Sequence, residues 1–390
     1  MVHPRGLFLP YNSPILPVPL FIRYFAPISG PVAGALTSRF GYRAVVILGG
    51  LVMTVGLAGA SFCPDIYSLL VLYGLAGVGG GLSYIPNCIA VTHYFDQKYH
   101  GLVIGIVTAG CGFGQFLTPV VADLLARHYT WRGTLLIQAG ISANIVISGA
   151  VLRPMPSMEC DTTNAWSTHL FKDGYFLNFC FHAFTFTVGF SVTLVHLAHS
   201  VERFTNVGSD LSSMAISLMG LFMTAGKFAQ PAVAKLKCVN PVLQTLASTA
   251  VAGALVFVIP HVTDFPTVAV LSAALGFFVS PYGSVMIIIV IGLVGQEHAN
   301  VAYGYIGFVS GVGLYVGAPI AGALYDVTGL YRSSMYFGGG VIVLSAISLC
   351  WMTCRWRAIL RSRRSIRLAV DREREPAQPE SAILLNETQR

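Results

Sequence analysis

One cation stands deep inside an apolar stretch of this sequence. Lys227 lies about mid-way along residues 212–234, between Gly226 and Phe228, and no acid shares that stretch. A charge at the centre of a membrane-spanning helix costs at least ~2.5–3.5 kcal/mol on insertion scales. An ammonium there has two ways to survive. It faces a cavity, where it can hold a carboxylate as a point charge, or it reaches back about two turns to the membrane surface beside Lys235. The spacing fits both. A second polar set lies on residues 175–198: Asn178, His182 one turn later, and His196 near the far end. The two histidines share a face within about 40°, but stand about 21 Å apart along the axis and cannot hold one ligand. His182 with Asn178 is the pair able to line a cavity. Tyr84, Asn87, Gln115, Tyr282 and Tyr303 are polar groups inside other apolar stretches. Each can bond a neighbouring helix, because lone polar groups in lipid seek partners. Tyr282 is also carried as a ligand contact, so the candidate binding set is Lys227, His182, Asn178 and Tyr282.

Other chemistries have no residues to run on. No paired carboxylates, metal cluster or nucleophile–base pair sits at depth, and no G-x-x-x-x-G-K-[ST] loop is present to cradle phosphates. The expectation is therefore no enzyme activity, no metal, no cofactor and no drive by ATP. The eight cysteines show no zinc spacing and read as packing thiols.

The elements that must position these residues are membrane helices. Charged residues make up 10% of the chain and hydrophobic residues 55%, against roughly 25% charged in a soluble domain. The fold class is an all-α polytopic membrane protein, with the lipid bilayer as its first partner. The net charge of +7 is no nucleic-acid signature, because six arginines crowd into residues 355–367, just after the last apolar span. Such a run fits a cytoplasmic tail against anionic lipid.

Eleven spans are legible, at 16–36, 45–62, 69–95, 102–125, 134–152, 175–198, 212–234, 242–260, 267–294, 300–324 and 333–353. They give an N-terminal half (1–152), a central linker (153–172), a C-terminal half of six helices (173–353) and a tail (354–390). The halves differ by one helix, and the deficit lies at the start, where residues 1–35 carry seven prolines. Arg39, Arg43, Lys98, Arg153, Lys172, Lys235 and Lys237 fall on one side and fewer cations on the other, which puts the C-terminus in the cytoplasm.

Residues 101–132 recur near 301–332. Gly105, Gly110, Gly112 and Gly114 precede Pro119, and Gly311, Gly313 and Gly317 precede Pro319; each proline stands 13 residues before an arginine, Arg132 or Arg332. Glycines this dense let helix backbones approach closely, and Pro119 and Pro319 are expected to kink their helices. Two such spans half a chain apart are what a transporter built from parallel repeats shows.

These stretches carry a resemblance. GPVAGALTSRFGYRAVVILGG (30–50), GLVIGIVTAGCGFGQFLTP followed by YTWRG (101–133), and GAPIAGALYDVTGLYRSS (317–334) are similar to the major facilitator superfamily, and within it to the monocarboxylate transporters. Gly34, Leu36, Arg39 and Gly41 resemble the superfamily signature G-x-L-x-D-R-x-G-R, with Ser38 in place of the acid and Arg43 one position beyond its last arginine. The resemblance implies a bundle of two helical halves, with twelve helices in the family. It implies secondary transport of a small organic solute, a monocarboxylate or related carboxylate or zwitterion, by alternating access. It also implies the plasma membrane and, as in some members, a single-span accessory glycoprotein. Arg39 and Arg43 are expected to brace the inner helix ends, and Asp326 and Arg332 the outer ones.

Two departures limit what is carried over. Nothing in residues 1–30 matches the family's first-helix signature, so the alternative is a truncated form that does not transport or acts as a regulator. The lactate carriers place an Asp and an Arg one turn apart on the eighth helix; here Met223 and Lys227 stand in those positions. Lactate and proton coupling are therefore not implied. With no acid near the centre of any span, facilitated diffusion or exchange is expected, with His182 as the remaining proton carrier.

Overall fold

The structure is a computed structural model that describes residues 29–96, 99–153, 168–205, 207–234, 240–296 and 298–374. These residues form helices and short connections. In chain order they are α1 (Gly30–Ser61), α2 (Ile66–Tyr94), α3 (His100–Ser142), α4 (Asn144–Val151), a 3-10 turn (Thr168–Lys172), α5 (Gly174–Thr205), α6 (Ser209–Ala234), α7 (Pro241–Val258), a second 3-10 turn (Ile259–His261), α8 (Phe265–Val294), α9 (Ala299–Thr328) and α10 (Tyr331–Arg374). Ten stretches among the described residues are long and apolar enough to cross a membrane. Of the eleven expected spans, 16–36 lies mostly outside the described residues, as does residues 1–28, on which the missing first helix rests. The described end of that span opens α1. The chain divides into two compact units, Met1–Thr353 and Cys354–Arg390.

Two helices are each a pair of segments joined at one residue. α1 turns at Gly41, with φ 78° and ψ 165°, a backbone region that only glycine enters without strain. The turn separates the Arg39 end of one segment from the Tyr42 end of the next. α3 turns at Thr130, with φ 58° and ψ 172°. The chain therefore turns at Thr130, and the helix runs on through Pro119. In the second repeat the corresponding turn falls at Gly329, with φ 67°. Pro319 also lies inside its helix.

Within each half the helices meet over small residues. In the first, α1 packs on α2, where a methyl group at Gly49 would sit 2.7 Å from the Gly79 carbonyl. In the second, α6 packs on α8, with Gly276 pressed against the Met219 carbonyl. Gly313 and Gly317 bring α9 onto Phe184 and Val188 of α5. Around these contacts lies an apolar core that includes Phe186, Phe190, Met219, Val256, Leu275 and Ile342. Lipid offers no hydrophobic drive for helix association, so close backbone contact takes its place.

The halves meet along two seams related by the repeat: α3 packs on α6, and α9 packs on α1. On the first, methyl groups at Gly105 and Gly112 would sit 2.7 Å from the Lys227 carbonyl and 2.6 Å from Thr224 Oγ1. Gly110 and Gly114 have nothing within 4 Å. The close approach expected of all four glycines is thus made by two, because only one face of α3 meets α6. On the second seam Gly30 meets Gly304, and the Tyr42 hydroxyl donates to Asn300 Oδ1 at 3.0 Å.

Polar caps close two helix ends. Asn240 accepts from the Leu243 N–H at 2.6 Å at the start of α7, and Asp264 accepts from the Thr267 N–H at 3.0 Å at the start of α8. Hydrogen bonds from Thr267 hold the Asp264 carboxyl below its ordinary value. This cap is fully present above about pH 4 and is lost as pH falls through the lowered value. Asn240→Ala is expected to lower stability by ~1 kcal/mol, read as a lower melting temperature of the detergent-solubilised protein; an unchanged value would mean water replaces the cap.

Candidate functional site

Lys227 occupies the α3–α6 seam. Its carbonyl faces Gly105 of α3, and a methyl group at Gly283 of α8 would sit 2.9 Å from its Nζ. The residue is 2% exposed. Helical side chains lean toward the helix N-terminus, which carries this ammonium away from the Lys235 end of α6. Its position beside Gly283 is inside the bundle, not at a surface. The thiols of Cys88 on α2 and Cys111 on α3 lie in its electrostatic reach, and no carboxylate among the described residues does. No hydrogen bond or ion pair to the ammonium is formed among the described residues.

A polar band continues from there. Cys111 Sγ stands 3.8 Å from the Tyr84 hydroxyl. Tyr303 on α9 is in electrostatic reach of Cys88, Cys111 and Tyr282, and lies beside Tyr84. The Tyr282 hydroxyl pairs with Ser310 Oγ at 2.9 Å, and its ring stacks on Phe186 at 4.2 Å. Tyr84 is 37% exposed. Its neighbours come from α3 and α9, so that exposed surface faces a space between helices. Below this band, Thr108 Oγ1 and Ser284 Oγ, 3.0 Å apart, tie α3 to α8.

The four expected binding residues are not all brought together. Asn178 and His182 face α10: Asn178 Nδ2 donates to the Ser348 carbonyl at 2.9 Å, and His182 Nδ1 lies 2.7 Å from Ser345 Oγ. His182 is fully buried, and its ring packs with Phe179, Phe186 and Tyr282. Its Nε2 has no partner. α10 covers the face that Asn178 and His182 share: His182 is closed off there, and Asn178 is partly buried. Tyr282 is the link, touching the His182 ring on one side and Ser310 on the other.

The expected braces also differ in detail. Arg39 and Arg43 are exposed, and the Arg39 guanidinium lies 5.5 Å from the Phe40 ring. The tie across to the other half comes from Tyr42 between them. Arg332 lies 5.7 Å from the Phe204 ring and forms no ion pair with Asp326 among the described residues. Its counterpart in the first repeat, Arg132, donates to the Cys63 carbonyl at 3.1 Å. Sequence reasoning passed over Tyr42, Asn300, Cys88 and Cys111. For the thiols one signal was available: Cys88 follows Tyr84 by four residues, one turn along the same helix face. Among the described residues no group of three or more His, Cys, Asp or Glu could hold a metal ion.

The family model for the Major Facilitator Superfamily matches residues 21–263 and 239–385. Human monocarboxylate transporter 14 is 26% identical over 421 residues, covering 86% of this chain and 82% of that protein. Monocarboxylate transporter 13 of Bos taurus is 29% identical over 320 residues, covering 80% and 74%. Among solved structures, the superfamily transporter FucP in the outward conformation superposes with a TM-score of 0.69 at 15% identity, over 88% of this chain and 91% of that one. The human organic anion transporter MFSD10 gives 0.70 at 14% identity, over 86% and 84%. At such identities the two structures speak for the fold alone: a helical bundle of the superfamily type. The sequence relatives speak for a multi-pass membrane transporter rather than an enzyme. The chain belongs to the Major Facilitator Superfamily, and these sequence relatives within it are monocarboxylate transporters.

Proposed function

We propose that the protein carries a small organic anion, a monocarboxylate or a carboxylate-bearing zwitterion, by alternating access between its two helical halves. The observation that carries this reading is the Lys227 ammonium, buried in the seam between the halves with no acid partner among the described residues. A buried charge must be compensated. Among the described residues no Asp or Glu is placed beside Lys227: Asp123, inside the apolar stretch of α3, is 18 residues from Gly105 on the same helix run, about 27 Å along its axis. A solute carboxylate fits the vacancy in charge. The tyrosine hydroxyls of the adjoining band supply directional hydrogen bonds that an ammonium lacks.

The alternative, a truncated form that does not transport, rests on residues 1–30, nearly all of which lie outside the described residues. The arginine-rich tail and the loop charges support a cytoplasmic C-terminus. The plasma membrane as location and a single-span accessory glycoprotein as partner rest on the resemblance alone.

The test is initial uptake by the full chain in liposomes, comparing labelled monocarboxylates with their neutral amides. Saturable uptake of acids over amides is expected. Equal uptake of both would overturn the reading. Because no acid lies at the centre, an imposed pH gradient is not expected to drive accumulation uphill.

A further inference from the structure

The space beside Lys227 also holds a nucleophile. Cys111 is exposed, whereas Cys88, its neighbour across the gap, is 1% exposed. Gly110 and Gly114 flank Cys111 on α3, and a methyl group on either would meet nothing within 4 Å. The wall around this sulfur is therefore open. Tyr84 on α2, Tyr303 on α9 and Lys227 on α6 surround that opening, so it faces the interior of the bundle rather than lipid. A lone thiol would say little. Here a second group points to a ligand: an ammonium 98% buried, without a partner among the described residues, in electrostatic reach of the same sulfur.

We propose that Cys111 is a covalent modification site in the solute path, selective for small electrophiles that carry a carboxylate. The proposal rests on the reading of Lys227 as an anion site. The acid places its carboxylate on the ammonium, and its electrophilic carbon then lies against the sulfur. Holding two reactants in one site raises their effective concentration. With iodoacetate the sulfur lone pair attacks the methylene carbon. The S–C bond forms, the C–I bond breaks, iodide leaves, and the thiol proton passes to water. No other reactant is needed. The modified carrier then holds its own carboxymethyl group at Lys227, which blocks the site to solute.

The experiment uses the full chain in liposomes, with iodoacetate or iodoacetamide as probe and glutathione in the same tube as reference. The two reagents share a leaving group and differ in charge. Alkylation of the peptide containing Cys111 is followed by mass spectrometry. The iodoacetate-to-iodoacetamide rate ratio at Cys111, divided by the ratio at glutathione, is expected to be about tenfold, the scale of one charge-assisted contact. Lys227→Gln is expected to bring it to one. Should that variant fail to fold, acetate is expected to protect Cys111 in the parent protein where acetamide does not. An unlabelled Cys111, a normalised ratio near one in the parent, or equal protection by the two additives overturns the proposal. Labelling needs no transport. Selective labelling without uptake of acids would sink the transport reading and leave this one standing; uptake of acids with a flat ratio would do the reverse.

Discussion

Lys227→Ala is expected to cut initial uptake of an anionic solute by about 10–100-fold, with the protein still folded and in the membrane. The magnitude follows from what is removed. A hydrogen bond to a charged group contributes about 1.5–3 kcal/mol, and each ~1.4 kcal/mol is tenfold. Folding should be spared because the ammonium makes no bond within the described residues; removing it strands no partner. Alanine also relieves the cost of burying a charge. Lys227→Arg should retain more activity than Lys227→Gln. Arginine keeps the charge but needs more room beside Gly283, whereas glutamine keeps the length and loses the charge. The measurement is initial uptake in vesicles, normalised to membrane-inserted protein. If the alanine variant works at the parent rate, the cation is not a solute contact.

Gly276→Ala is expected to have the largest effect on the fold. One methyl group at Gly276 would collide with the Met219 carbonyl where α8 crosses α6. A side chain could swing aside, but a helix carbonyl cannot, so the two helices must separate. Overpacking of this kind costs about 1–3 kcal/mol, occasionally more, and here it falls at Met219 and Leu275 in the apolar core. Gly110→Ala is the matched control: the same methyl group meets open space, and alanine gains up to ~1 kcal/mol over glycine within a helix. The melting temperature in detergent should fall for the first and hold or rise for the second. Equal behaviour would show that α6 and α8 slide apart cheaply.

The contrast between these glycines marks the limit of what the sequence could say. Long apolar runs made the spans plain, because a membrane helix has to satisfy its backbone internally whatever surrounds it. The repeated Gly–Pro–Arg spacing marked α3 and α9 as related spans. Which glycine would do the touching was not readable: Gly105, Gly110, Gly112 and Gly114 look alike until the rotation of α3 against α6 is known. The same holds for Asn178 and His182, one turn apart on α5, whose neighbour, α10, begins more than 130 residues later. The Tyr42–Asn300 bond joins residues 258 positions apart. Lys227 was readable because a buried cation is rare enough to stand out by type alone, and its thiol neighbours were hidden because cysteines in membrane spans are ordinary packing.

The two seams have a kinetic consequence. At their tightest points they are backbone on backbone: Gly105 on a carbonyl, Gly30 on Gly304. Glycine has no rotamers to freeze, whereas ordering a long side chain costs up to about 1.5–2 kcal/mol. Bringing these surfaces together therefore demands little side-chain ordering, and parting them releases little. Such a joint behaves as a bearing rather than a clasp. Under the proposed alternating access it would let the halves rock as rigid bodies, and leave the balance between one tilt and the other to a few separate bonds, such as that between Tyr42 and Asn300, and to the anion proposed for Lys227.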